Sequence, residues 1–131
     1  ATCLLGGSVP PGPGYFYPPT VLRDIPLESP AHREELFGPV LCLFRAADEY
    51  EAIRMANDTL YGLGAAVFTA DTERGARIAR DEIHVGTCSV NTFVASDPRL
   101  PFGGIKQSGH GRESALEGIR EFCNAKTINV K

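Results

Sequence analysis

Apolar and polar positions follow one another along this chain in short blocks, each with its own period. Ala1 to Leu5 is an apolar run of strand length. The Gly- and Pro-rich stretch from Gly6 to Thr20 reads as a loop leading into an extended segment, because Pro18 and Pro19 offer no ladder donor and push their predecessors toward extended backbone. VLCLF, Val40 to Phe44, suits a buried strand. Asp48 with Glu51 three residues on is a capping signature, and Tyr50, Ile53, Ala56 and Leu60 then recur on one helical face until YGLG, Tyr61 to Gly64, stops the helix. AAVFT, Ala65 to Thr69, is the next strand. Asp71 or Thr72 caps a second helix with Gly75, Ile78, Ala79 and Ile83 facing inward, and GTCSVN, Gly86 to Asn91, follows as another strand. After a loop from Thr92 to about Gly111, a last helix places Leu116, Ile119, Phe122 and Cys123 on one face. TINV, Thr127 to Val130, ends the pattern as a β-branched edge or intersubunit strand.

Strand, helix, strand, helix, strand with short connections predicts an α/β fold: a parallel sheet of βαβ units joined by right-handed crossovers and covered on both faces. Ligands of such open sheets bind beyond the carboxyl ends of the strands, which directs attention to the loop after Asn91.

Composition narrows the class. With 43% hydrophobic and 22% charged residues, the chain has the make-up of one soluble globular domain, which excludes disordered and collagen-like readings. A net charge of -3 with Lys and Arg scattered along the chain gives no footprint for nucleic acid or an anionic membrane, so small, roughly neutral partners are expected. No apolar run reaches the roughly 18 to 20 residues that span a bilayer, and a cytoplasmic compartment is expected. Cys3, Cys42, Cys88 and Cys123 form no CxxC pair and have no histidine at ligand spacing, so no metal site is expected. Cys42 and Cys88, inside strand-like runs, read as buried structural thiols. The chain opens on Ala1 rather than methionine, directly in a strand-like run, and a fragment of a longer protein is expected.

Two segments rise above this scaffold. In EELFGPV, Glu34 to Val40, Glu35 has the chemistry to accept hydrogen bonds from a sugar diol while Phe37 packs on a flat ring; the plainer alternative is a solvated glutamate beside a core phenylalanine. In PFGGIKQSGHGRE, Pro101 to Glu113, the glycines at 103, 104, 109 and 111 could cradle a phosphate, yet the order matches neither a P-loop nor GxGxxG after a strand. Tight turns and close backbone approach account better for these glycines, with Ser108 and Glu113 helping to start the final helix.

These two segments, in this order, together with GYFYPPTVL (Gly14 to Leu22), the AND and YGL around Asn57 and Tyr61, AAVFT and GTCSVN, resemble the C-terminal signature of the aldehyde dehydrogenase superfamily over nearly the whole chain. Residues 95–113 followed by GIREFCNAKT, Gly118 to Thr127, look most like bacterial succinate-semialdehyde dehydrogenases. The resemblance implies the second part of a catalytic domain over residues 1–123 and an oligomerisation strand over 124–131, within a subunit that also has a Rossmann-type cofactor domain. Implied partners are an aldehyde, the remainder of the parent subunit and further copies in a homo-oligomer; the implied cofactor is NAD or NADP.

In that family a cysteine thiolate attacks the aldehyde, hydride passes to the nicotinamide, and a glutamate activates the hydrolytic water. Neither of those two motifs occurs here, so no catalytic residue is assigned and the chain alone is expected to be inactive. By resemblance, Glu35 matches the glutamate that binds the nicotinamide ribose and Phe37 the aromatic residue near the nicotinamide. Phe102 matches the aromatic residue lining the aldehyde tunnel, and Ser96 the serine on the substrate carboxylate. Arg99 adds charge to the same loop but reads as a surface arginine. The rival reading is a non-catalytic binding or assembly module that retains this fold; a third is phosphate or nucleotide binding by the glycine-rich loop alone.

Overall fold

The direction of the first strand pairing is decided by the Gly- and Pro-rich loop. In the computed structural model, which describes residues 1–131, β1 (Thr2–Leu5) and β2 (Thr20–Arg23) pair antiparallel, with a register shift between Cys3 and Leu5. Thr20 is buried, and its hydroxyl is fully used: it accepts from the Gly7 N–H at 2.9 Å and donates to the Pro18 carbonyl at 3.0 Å. A buried hydroxyl with both bonds made closes the loop that Pro18 and Pro19 extend. β3 (Val40–Leu43) then pairs parallel to β2, in register from Thr20 opposite Val40, so β2 is central in a three-stranded sheet. This sheet is mixed, not all-parallel as the sequence pattern predicted. A loop without a helix returns the chain antiparallel, whereas a parallel pair needs a crossover.

Packing divides the chain into two units, Ala1–Ala52 and Ile53–Lys131, each with its own buried centre: Ile25 in the first, Ile78 in the second. In the first unit, α1 (Pro30–Arg33) starts with Pro30 in its first turn and Ser29 as N-cap, whose hydroxyl accepts from the Ala31 N–H at 3.3 Å. His32 of this turn lies edge-on to Phe44, ring centroids 5.1 Å apart. β3 alternates, with Cys42 half-buried and Leu41, Leu43 and Phe44 exposed, so the expected covering of both faces holds for one face only. α2 (Glu49–Asn57), whose first turn belongs to the first unit and whose remainder to the second, has the predicted cap: Asp48 Oδ1 accepts from the Glu51 N–H at 2.8 Å, and Glu51 Oε2 from the Ala47 N–H at 2.7 Å. Its predicted inward face is not uniformly covered, since Tyr50 and Leu60 are exposed.

Of the two successive βαβ units predicted from Val40 onward, the later one forms in the second unit; the earlier one does not, since its two strands lie in separate sheets. β5 (Gly64–Val67) and β6 (Thr87–Val90) are parallel, in register from Gly64 opposite Thr87, and α3 (Thr72–Asp81) crosses between them and packs on both. Asp71 caps α3 by accepting from the Arg74 N–H at 2.9 Å, and Gly75 and Ile78 are its buried residues. YGLG does more than stop α2: β4 (Tyr61–Gly62) pairs antiparallel with β7 (Ile105–Lys106), inside the loop expected to be irregular. α4 (Ala115–Arg120) follows Ser114, which makes no side-chain cap bond. Ser108 and Glu113 do not start that helix: the Ser108 hydroxyl accepts from the Gly62 N–H, and the Glu113 backbone pairs with Phe102. The helix ends at Arg120, so Phe122 and Cys123 lie beyond the face predicted for them, and Leu116, Ile119, Phe122 and Cys123 are all exposed. Residues 124–131 form no strand within this chain, since none of its strands pairs with them. No helix is long and apolar enough to cross a membrane.

Candidate functional site

In the first unit the functional segment begins where α1 ends. The Glu34 N–H closes that turn on the Pro30 carbonyl, and the next residues run through two successive tight turns: Gly38 N–H to Leu36 C=O and Val40 N–H to Gly38 C=O, both 2.8 Å. Thr20 N–H on the Pro39 carbonyl, also 2.8 Å, fastens the segment to the central strand. The result is a short rigid arc that lifts Phe37 off the sheet. Phe37 is 95% exposed and borders an open cavity of about 740 Å3 that Cys3, Leu22, Leu36 and Val40 also line. Glu35 is exposed two residues earlier, makes no hydrogen bond or ion pair, and does not line that cavity. Within its own unit Phe37 is not a core residue.

In the second unit Phe102 is half-buried, and its backbone exchanges two bonds with Glu113: N–H to C=O at 2.9 Å, and the return bond at 2.7 Å. Between them the loop folds back on itself. Arg112 spans the fold, its Nη1 donating to the carbonyls of Gly104 at 3.0 Å and Gly111 at 2.6 Å. Gly104 is obligatory here, because a Cβ on it would lie 2.5 Å from the Ser108 Cβ. Gly103 and Gly104 therefore serve close approach, whereas Gly109 and Gly111 stand at positive φ, 133° and 69°, in the turns of the loop. Phe102 faces a cavity of about 400 Å3 with Ser108, His110, Arg112 and Glu121 among its walls.

Ser96 lies outside that cavity, exposed on the preceding loop. Beside it, Arg99 is bound bidentately by Asp97, Nε to Oδ1 at 2.9 Å and Nη2 to Oδ2 at 2.6 Å, and its own N–H bonds Asp97 Oδ1 at 2.9 Å. The side-chain bond from Arg99, aided by its backbone N–H, holds the Asp97 carboxyl below the usual range, and Asp97 in turn raises the guanidinium. Arg99 is 85% exposed and already carries a counter-charge, which is the surface arginine the sequence predicted.

The cysteines are all free thiols. Cys88 on β6 is half-buried rather than fully buried, and burial pushes its thiol up, outweighing a backbone bond from Ser89. A raised thiol is a poor nucleophile near neutral pH.

Two roles escaped the sequence reading. Asn57 bridges backbone across the second unit, its Nδ2 donating to the Glu82 carbonyl at 2.7 Å and its Oδ1 accepting from the His84 N–H at 2.8 Å. Asn91 does the same to Thr69, at 2.9 and 2.8 Å, and so extends the β5–β6 ladder past its end. A single asparagine carries no periodicity that would announce such a bridge.

Comparison with known proteins identifies the pattern. The model of the aldehyde dehydrogenase family matches residues 1–128. The chain is 50% identical over 130 residues to succinate-semialdehyde dehydrogenase [NADP(+)] 1 of Mycobacterium ulcerans, covering 99% of this chain and 28% of that protein. Among solved structures it is similar to a Mycobacterium tuberculosis aldehyde dehydrogenase complexed with NAD+, with 42% identity and a TM-score of 0.84, over 92% of this chain and 25% of the other. It is also similar to betaine aldehyde dehydrogenase of Staphylococcus aureus in complex with NAD+, with 38% identity and a TM-score of 0.85 over the same shares. The chain thus spans little more than a quarter of the length of these relatives.

Proposed function

The chain belongs to the aldehyde dehydrogenase family, and from that premise we propose that it supplies the nicotinamide-ribose contact and one wall of the substrate tunnel in an NAD(P)-dependent dehydrogenase that oxidises succinate semialdehyde to the acid. The observation that carries this reading is Phe37. A phenylalanine 95% exposed, held on two tight turns beside an unpaired carboxylate, serves no core of its own unit. The pair suits a nicotinamide riboside: a flat apolar face for the ring, and in Glu35 an acceptor for the ribose hydroxyls. NAD(P), when bound, supplies the hydride acceptor.

For the substrate end, Phe102 offers an apolar wall held by its Glu113 bridge, and Ser96 an exposed hydroxyl on the preceding loop. Asp97 already neutralises Arg99, which leaves exposed hydroxyls of that loop, Ser96 among them, to donate to a carboxylate. The name of the Mycobacterium ulcerans relative supports succinate semialdehyde as the substrate. No residue of this chain is assigned as nucleophile or general base. Residues 1–123 then belong to the catalytic domain and 124–131 to a subunit contact of a cytoplasmic homo-oligomer. The test is Glu35→Gln in the intact dehydrogenase carrying this sequence. Turnover at saturating cofactor should fall by about tenfold or more, the scale of a lost hydrogen bond to a charged group, with less effect on the KM of the aldehyde. An unchanged turnover number would remove Glu35 from the site.

A further inference from the structure

Lys106 stands at a backbone position that disfavours it. Its φ is 55°, in the left-handed region, where glycine costs nothing and any side chain is strained. The same loop has glycines at 109 and 111, so a lysine here points to a use for its side chain. That use is visible: Nζ donates to the Asn57 carbonyl at 3.0 Å and to the Thr59 carbonyl at 3.2 Å, 49 and 47 residues away in sequence. Asn57 is the last residue of α2, and carbonyls at a helix C-terminus lack intrahelical partners and favour a cation.

Two further bonds and a short ladder join the same two segments: the Gln107 N–H to the Leu60 carbonyl at 3.0 Å, the Gly62 N–H to the Ser108 hydroxyl at 3.0 Å, and the two-residue β4–β7 pairing. A ladder of two residues is weak by itself. Phe102 lies three residues before β7 and is anchored on its other side by Glu113.

We infer that Lys106 is a positioning residue for the substrate wall: by clasping the C-terminal carbonyls of α2 it fixes one end of the loop whose other end the Phe102–Glu113 bridge fixes. The inference rests on the reading of Phe102 as that wall. Lys106 touches neither aldehyde nor cofactor; it acts through the place it gives Phe102.

The test uses the intact dehydrogenase carrying this sequence, with Lys106→Met, which keeps length and removes the donors, and Lys106→Arg, which restores them. Hydrogen exchange at the Gln107 and Phe102 amides should quicken in Lys106→Met and return toward the parent rate in Lys106→Arg. The KM for aldehyde should rise by about fivefold in Lys106→Met, the scale of one lost hydrogen bond, with the KM for cofactor unchanged. In a Phe102→Ala background that rise should vanish, because the two act in series. Unchanged exchange in Lys106→Met overturns the clasp, whatever Phe102 does. A KM rise that persists in the Phe102→Ala background shows general loosening and overturns the positioning role. An unchanged aldehyde KM in Phe102→Ala alone overturns the tunnel-wall reading, while quickened exchange would still show the clasp.

Discussion

Ser96 and Asp97 are neighbours, one exposed and proposed to meet a substrate, the other committed to Arg99. For Ser96 the expected outcome of Ser96→Ala is selective. Catalytic efficiency should fall by about 1 to 2 kcal/mol for succinate semialdehyde, the range for one lost hydrogen bond, and hardly at all for an uncharged aldehyde of equal length. Steady-state kinetics on the two substrates decide it, and equal losses would make the serine a support of its loop. For Asp97 the sign follows from its lowered value. The pairing contributes fully above the ordinary carboxyl range near ~3.9 and is lost only as pH falls through the depressed native value. The Arg99 Nε–H chemical shift should therefore keep its bonded position down to pH 4 and move only in more acid solution; a move already at pH 5 would contradict the bond. Residues of this kind were legible in sequence only where a motif frames them. All four stand in recognisable text, but that text suggests a role only for Glu35 and Phe102; Lys106 and Asn57 act on carbonyls and amides brought near by β4–β7 and β5–β6, and no local pattern encodes that.

The elements read best were those with both a start signal and a period. α3 has Asp71 as cap, Gly75 and Ile78 inward, and a strand on either side, as predicted, while Ala79 is only half-buried and Ile83 lies past the helix end at Asp81. β4 and β7 have two residues each, too few for any alternation to show, and the antiparallel β1–β2 pair depended on a loop length rather than on a strand pattern. For the same helix two substitutions separate cap from packing. Asp71→Ala should cost about 1 kcal/mol through the lost bond to the Arg74 N–H. Gly75→Ala should gain from helix propensity yet destabilise on balance, because a Cβ there meets Thr69 Cγ2 at 2.7 Å and Val90 Cγ1 at 2.9 Å; overpacking costs about 1 to 3 kcal/mol against about 1 gained. Thermal unfolding of each variant measures the two terms, and a stabilised Gly75→Ala would show that α3 sits less closely on β5 and β6 than its contacts imply.

At the scale of the whole chain, surface decides behaviour. The accessible area is 10271 Å2, whereas a folded monomer of this mass, 14.1 kDa, exposes about 6,700 Å2 by the usual scaling. Only Ile25 and Ile78 are buried apolar side chains, while 23 large hydrophobic side chains are exposed, among them Leu41 and Leu43 on β3 and Leu116, Ile119 and Phe122 near the chain end. An excess of about 3,500 Å2 is the size of an obligate interface, not of a transient one. Exposed strand edges add unpaired backbone donors and acceptors to that surface. The 131 residues by themselves are therefore expected to self-associate, and light scattering on the purified chain checks this: a stable monomer at micromolar concentration would contradict it. The same preparation should reduce no NAD(P) with succinate semialdehyde, because walls that bind without a thiolate or a general base leave the barrier nearly untouched. Cofactor affinity should be weak as well, since Glu35 and Phe37 are proposed to meet only the nicotinamide end of a dinucleotide. An absorbance assay at 340 nm reads the activity directly. Any aldehyde-dependent reduction would place a nucleophile among Cys3, Cys42, Cys88 and Cys123, and the raised thiol of Cys88 counts against that residue.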